Sequence, residues 1–261
     1  MLFTLPQETL NHIIAHLRGE DHALRSLSLV DRRLTEECHT HLFSSVRIDS
    51  ATQLRRWCDA IPPGKDGLSR YVRSLKWRAF QCTPISIQDH MDHFRSFSRL
   101  EYLHIRPLDL TKFPSQELTH WFGHFSTVRS LCIQITGSPR TIVNFLALFP
   151  LLETTVITAP NIWRERPEYV GGDEADLDFP NLVCRGDLVF KVYRVCDKDD
   201  VLSALARLTT CYRRLGMGVV MMDSFAPLEL FLKACGRSLE SIQLINFLIR
   251  EVQVSSSTVP Y

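Results

Sequence analysis

Histidines at helical spacing are the first candidates for chemistry in this chain. His12 and His16 stand four residues apart, as do His120 and His124. Cys38-His39-x-His41 and His90-x-x-His93, with Asp89 and Asp92 beside it, add further side chains able to bind a metal. Two ligands one helical turn apart can share an ion, but a stable zinc site needs three or four. The residues between the two histidine pairs are Ile-Ile-Ala and Trp-Phe-Gly, so neither pair forms the His-Glu-x-x-His of a metalloprotease. Ten histidines in 261 residues produce such pairs by composition alone. Nucleophilic catalysis would need a Gly-x-Ser-x-Gly elbow or a comparable cysteine setting, and neither stands in the sequence. Gly216-x-Gly218 lacks the third glycine and the Lys-Ser/Thr of a phosphate loop, and Val219, Val220 and Met221 after it read as a buried strand. The chain is therefore expected to be no enzyme and to hold neither cofactor nor metal.

Composition narrows the field further. Hydrophobic residues make up 45% and charged residues 23%, enough for a sizeable core. Thirty basic and 29 acidic side chains leave a net charge of +1, so no global field draws the chain to nucleic acid or an anionic membrane. Eight cysteines are scattered without a Cys-x-x-Cys pair, and they read as reduced thiols filling the core. The first residues lack a basic leader region, and apolar stretches such as 145–152 are too short to span a bilayer. The expected compartment is cytosol or nucleus.

These absences move attention to the elements. Leu10, Ile13, Ile14 and Leu17 form one stripe of a first helix, with Pro6 in its opening turn, Thr4 and Gln7 spaced as a capping box, and Gly19 after its end. Asp21 can cap a second helix carrying Leu24, Leu27 and Val30, and Asp31 a third with Leu34, Cys38 and Leu42 facing inward. Three short helices bury little alone, and Leu5, Leu27, Leu29 and Phe43 enlarge an apolar surface that wants a partner.

The segments LPQETLNHIIAHL, LRSLSLVDRRL and HLFSSVRI resemble, in order and spacing, the F-box found in many fungal proteins. The match covers about residues 3–48, and Leu34 stands where many members carry Trp. The resemblance implies a segment that docks on a Skp-type adaptor and through it on a cullin scaffold. By position, Leu5, Pro6, Ile13, Leu17, Leu27 and Leu29 would supply the adaptor contact.

Residues 49–68 read as a linker helix and loop, with Leu54 and Trp57 on one face and a break at Ile61-Pro62-Pro63-Gly64. Beyond it, strand-like pieces at 71–77, 100–105, 128–135, 152–158, 187–193, 218–222 and 239–245 alternate with helix-like pieces at 85–99, 115–125, 140–149, 198–213 and 227–236. The anchors Leu75, Leu103, Leu131 and Thr155 follow at spacings of 28, 28 and 24 residues, and Leu188 comes 33 further on. One strand and one helix per such interval is the unit of a leucine-rich-type solenoid. The expected fold class is thus α/β: a small three-helix F-box on 1–48, then an irregular leucine-rich-repeat-like solenoid on 69–250. A proline-, glycine- and acid-rich loop interrupts it at about 160–186, and a polar tail occupies 251–261. A doubly wound α/β domain is the rival architecture.

In such a strand the residues between buried anchors face the open side. Lys76, Arg78, Tyr102, His104, Arg106 and Gln134 are therefore the expected substrate-binding set, with Ser74, Ser130, Cys132, Lys191, Tyr193 and Gln243 around them. The basic members suit an acidic or phosphorylated segment, and Tyr102 offers an aromatic anchor. The expected function is a substrate-recruiting subunit of an SCF-type ubiquitin ligase whose partners are the adaptor, the cullin and a protein target. A non-degradative scaffold with an F-box is the alternative, and an enzyme on an α/β domain a third.

Overall fold

The fold is that of a computed structural model, which describes residues 5–61, 67–78, 90–113, 118–158, 183–191, 198–207, 209–218, 220–222, 226–244 and 247–249. Three helices open it: α1 (Gln7–His16), α2 (Asp21–Val30) and α3 (Arg32–Leu42). Gly19 takes a φ of 98° in the turn after α1, a conformation that suits glycine. Asp31 caps α3 by accepting from the Arg33 amide. Asp21, by contrast, is the first residue of α2, and Glu20 at the cap position makes no side-chain bond. The capping box expected from Thr4 lies outside the described residues.

The chain then forms an α/β sheet of eight parallel strands. These are β1 (Ser45–Ile48), β2 (Ser74–Arg78), β3 (Tyr102–Asp109), β4 (Ser130–Thr136), β5 (Thr154–Thr158), β6 (Val183–Lys191), β7 (Thr209–Met217) and, after a short β8 (Val220–Met222), β9 (Ser241–Leu244). Every strand pairs with its predecessor in the sheet, so spatial order follows chain order. Ser45–Ile48, which the F-box resemblance places at its own end, is the first strand of this sheet. A second, two-stranded sheet pairs β8 with β10 (Phe247–Ile249).

Register explains the spacing of the anchors. Val46, Leu75, Leu103, Leu131, Thr155, Leu188, Leu215 and Ile242 lie side by side in one row across the sheet. Ile48, Trp77, Ile105, Ile133, Ile157, Phe190, Met217 and Leu244 form the next buried-side row. From β1 to β7 these rows sit in the main core, and at β9 they are exposed.

Six described helices link the strands: α4 (Ala51–Ala60), α5 (Met91–Arg95), α6 (Leu118–Phe122), α7 (Pro139–Ala147), α8 (Lys198–Ala206) and α9 (Ala226–Cys235). Ser50 caps α4, and Ser138 with Pro139 behind it opens α7. Their apolar sides join the anchor rows in a single core, including Leu54, Phe94, Phe122, Phe145, Leu205 and Phe231. Lys76, Tyr102, His104, Gln134, Val156 and Val189, between the anchors, are half-buried or exposed. Among the described residues the helices thus pack on one face of the sheet, and on the other face only Cys132 of this row is buried.

Three expectations change. Residues 198–213, read as one helix, split into α8 and the strand β7. The 218–222 run leaves the main sheet for the two-stranded one. The loop interruption ends before Val183, where β6 begins; residues 159–182 and the tail at 251–261 lie outside the described residues.

Candidate functional site

The three N-terminal helices carry a core of their own. Leu10, Ile14, Leu24, Leu34 and Cys38 are buried together, with Leu5, Leu17, Leu27 and Leu42 packed on them. This cluster is separate from the core under the sheet. The two parts meet at α3 and the turn Leu68–Tyr71, where His39 stacks edge-on against Tyr71 and Glu36 pairs with Arg70 at 3.8 Å.

Several apolar side chains remain outside the small core among the charged ones. Leu29 is 87% exposed, Val30 57% and Ile13 41%, and Pro6 is exposed as well. The six expected adaptor residues therefore divide: Pro6, Ile13 and Leu29 face solvent, while Leu5, Leu17 and Leu27 are half-buried against the small core. Val30, one of the apolar residues of the second helix, joins the exposed group because α2 buries only Leu24 completely. Leu34 is fully internal, so it fills the helical core rather than a surface site.

On the open face of the sheet, register brings the expected substrate residues together. Lys76 stands beside His104 and Arg78 beside Arg106. Arg47 precedes Lys76 in the same row, a member that sequence reading missed because its strand was assigned to the helical unit; it pairs with Asp49. Tyr102 and His104 present their rings edge to face with centroids 6.4 Å apart. Arg106 donates from a terminal nitrogen toward the Cys132 sulfur at 3.5 Å. The Nε of Arg106 and the Nε2 of His104 are out of solvent and have no hydrogen-bond partner among the described residues. Burial, then the Arg106 and Lys76 charges, hold His104 below its usual imidazole range. Burial also raises the Tyr102 phenol.

Beyond β3 the row of Lys76 and His104 carries no further charge as far as β7. Across β4 to β7 the row continues as Cys132, Val156, Val189 and Gly216, and the neighbouring row as Gln134 and Thr158. Gln134 is half-buried; it is not paired in register with Arg106 because the ladder between β3 and β4 shifts after Ile105. Lys191 continues the row of Thr158 through its backbone, and Tyr193 lies outside the described residues.

The other chemical candidates find structural roles. His93 hydrogen-bonds the carbonyl of Cys58 at 3.1 Å, tying α5 to α4. His12 and His16 contact each other through Nε2 atoms 3.2 Å apart. His41 lies 3.4 Å from Glu37. No group of three or more metal-binding side chains occurs among the described residues. Cys38, Cys58, Cys132 and Cys235 are buried thiols, whereas Cys211 is exposed.

A groove of about 780 Å³ is lined by residues of β6 and β7, the start of β5 and the turn before β9. Arg185, Arg213 and Arg237 line it, but so do Glu153, Asp187 and Glu240, so its charge is internally balanced.

No family model and no curated protein matches this chain. Among solved structures, a protein from Bacteroides fragilis resembles it at 14% identity and a TM-score of 0.36, over 79% of this chain and 76% of its own. A likeness of that size carries no argument about function. No described helix is long and apolar enough to cross a membrane.

Proposed function

We propose that this chain is a non-catalytic recruiting subunit: its N-terminal helices bind a Skp-type adaptor, and its sheet holds the protein to be ubiquitinated. The observation that carries this reading is the pairing of a small, separate helical core with unsheltered Leu29, Val30 and Ile13. A partner that covers such side chains gains about 1.5–3 kcal/mol of gross transfer energy for each, before the costs of association. The F-box resemblance over residues 3–48 names the partner that would cover them. The strictly sequential parallel strands, with helices on one face, support a leucine-rich-type solenoid over a doubly wound domain, whose helices cover both faces. The reaction itself would belong to other subunits, with this chain raising the effective concentration of the target.

The test is co-purification of the full chain with a Skp-type adaptor, beside a Leu29→Asp variant. Leu29 is the better probe than Leu5 or Leu27, because an aspartate at either of those would also disturb the small core. Stoichiometric binding that Leu29→Asp abolishes, with the fold intact, supports the assignment. A folded wild type that ignores the adaptor removes it.

A further inference from the structure

A run of alternating charge follows the edge where the strands begin. Arg73, Glu101, Arg129 and Glu153 each stand one residue before the row Ser74, Tyr102, Ser130 and Thr154. The amides of Glu101, Arg129 and Glu153 each donate to the carbonyl of the preceding member of the run. Arg73 pairs with Glu101 at 3.1 Å, and Arg129 pairs with Glu153. On β6 the next place belongs to Gly186, and there the run is interrupted. A φ of 86°, with the Glu153 carbonyl oxygen 1.9 Å from where a Cβ would stand, keeps a side chain out. At the same level the ladder between β6 and β7 slips, so Arg213 is an extra residue opposite neither Gly186 nor Asp187. A bulge of this kind re-aims the side chain it carries.

The groove of about 780 Å³ opens at this interruption. Its charges balance by count but not by pairing. Glu153 is already held by Arg129, and Asp187 lies 4.0 Å from Arg214; neither arginine belongs to the groove lining. Arg185, Arg213 and Arg237 are exposed and make no ion pair among the described residues, and of the lining acids only Glu240 shares that state. Three guanidinium forks face one carboxylate, an excess that suits phosphate oxygens. From β5 to the turn before β9 the lining crosses four strand positions, roughly 14 Å, which is wider than a lone phosphate. No aromatic side chain stands among the described lining residues to stack a nucleobase.

We propose that this groove binds a small polyol bisphosphate: Arg185, Arg213 and Arg237 hold the phosphates, and Glu240 accepts from hydroxyl groups between them. Arg237 and Glu240 stand just before the exposed β9, so the bound molecule also fastens that strand to β6 and β7. The inference goes beyond the recruiting reading and does not depend on the adaptor.

The probe is fructose 1,6-bisphosphate, titrated by calorimetry into the full chain at about 0.15 M salt. The comparison ligands are fructose 6-phosphate, with one phosphate, and hexane-1,6-diol bisphosphate, with both phosphates and no free hydroxyl. The expected result is binding of the sugar bisphosphate about tenfold tighter than the monophosphate and several-fold tighter than the diol compound. Arg185→Gln with Arg213→Gln should weaken it about tenfold or more. These side chains are exposed and make no ion pair among the described residues, so the urea midpoint without ligand should stay unchanged. Glu240→Ala should erase the preference for the sugar over the diol compound, since the lost charge affects both alike and the lost acceptor only one. Arg140→Gln, on the exposed side of α7, should change nothing. The exposed Cys211 in the lining gives a second readout: the sugar bisphosphate should slow its alkylation by iodoacetamide, followed on the peptide that carries it. Absence of binding, binding indifferent to the double arginine variant, or unchanged alkylation at saturation would overturn the site. Equal affinity for the sugar and diol bisphosphates would overturn the polyol assignment. Adaptor binding by these variants should match wild type, so a failure here is distinct from a failure of the recruiting reading.

Discussion

His124 should make this fold lose stability as the pH falls through the range where free histidine takes up a proton. It sits in the turn Gly123–Phe125 after α6, its ring against Phe125 at 3.9 Å between centroids. Both ring nitrogens are out of solvent and without a hydrogen-bond partner among the described residues. Burial, then the charges of Arg95 and His120, push its pKa down to about 4. The unfolded chain protonates this side chain near pH 6.5, so between about 4 and 6.5 it binds the proton that the folded chain refuses. The linkage contributes stability that is complete above about 6.5 and is lost as the pH drops. Its full size is about 3 kcal/mol, of which about 2 kcal/mol disappears between pH 7 and pH 5. His39 and His104 are also held low by burial, so the wild-type slope alone would not isolate the effect. The assay is therefore urea unfolding of wild type and His124→Phe across pH 7.5 to 5, read as the difference between the two. The variant keeps an aromatic ring and removes the titration, so its advantage should widen by about 2 kcal/mol toward pH 5. A difference that stays flat with pH would refute the argument.

Glycine substitutions separate backbone strain from crowding. Gly186 has a φ of 86°, and a Cβ there would lie 1.9 Å from the Glu153 carbonyl oxygen, whereas Gly19 at 98° has open space around it. Gly19→Ala should therefore cost about 1 kcal/mol and Gly186→Ala clearly more, about 3 kcal/mol, by denaturant unfolding. In the helical unit, Leu24→Ala should cost about 2–5 kcal/mol, while Leu29→Asp should change stability by less than about 0.5 kcal/mol. Arg129 and Glu153 form an exposed ion pair, and Arg129→Ala should cost under about 1 kcal/mol, less still in high salt.

The repeat was legible where side chains alternate without interruption. Leu75, Leu103, Leu131, Thr155 and Leu188 fall in one row because each strand enters the sheet at the same level as its predecessor. β7 was missed for a physical reason. The ladder slips between Gly186 and Asp187, so Tyr212 and Leu215, both buried, stand three residues apart with two arginines between them. That spacing imitates a helix. The Val-Val-Met-Met run at 219–222 was misplaced because an apolar stretch does not say which sheet it joins. On the helices, an apolar stripe identified the inward residues Leu10 and Ile14 but not the exposure of Ile13 and Val30, which depends on how three helices cross. The cationic residues were legible from alternation, yet the close approach of Val189 to Gly216 was not, since only register sets them side by side.

The strictly sequential order of strands also sets how this molecule folds. Each strand waits for a neighbour only 24–33 residues away, so chain closure costs grow little along the array and no distant segment must be found. Aromatic contacts are densest from β2 to α7, where Trp77, Phe94 and Phe125 touch in turn and Phe113, Phe122, Phe145 and Phe149 do likewise. That section is the natural nucleus, with growth toward β9. Amide exchange should accordingly be slowest in β3 and β4 and fastest in the exposed β9, and the chain should lose its late strands before its early ones rather than melt in a single step.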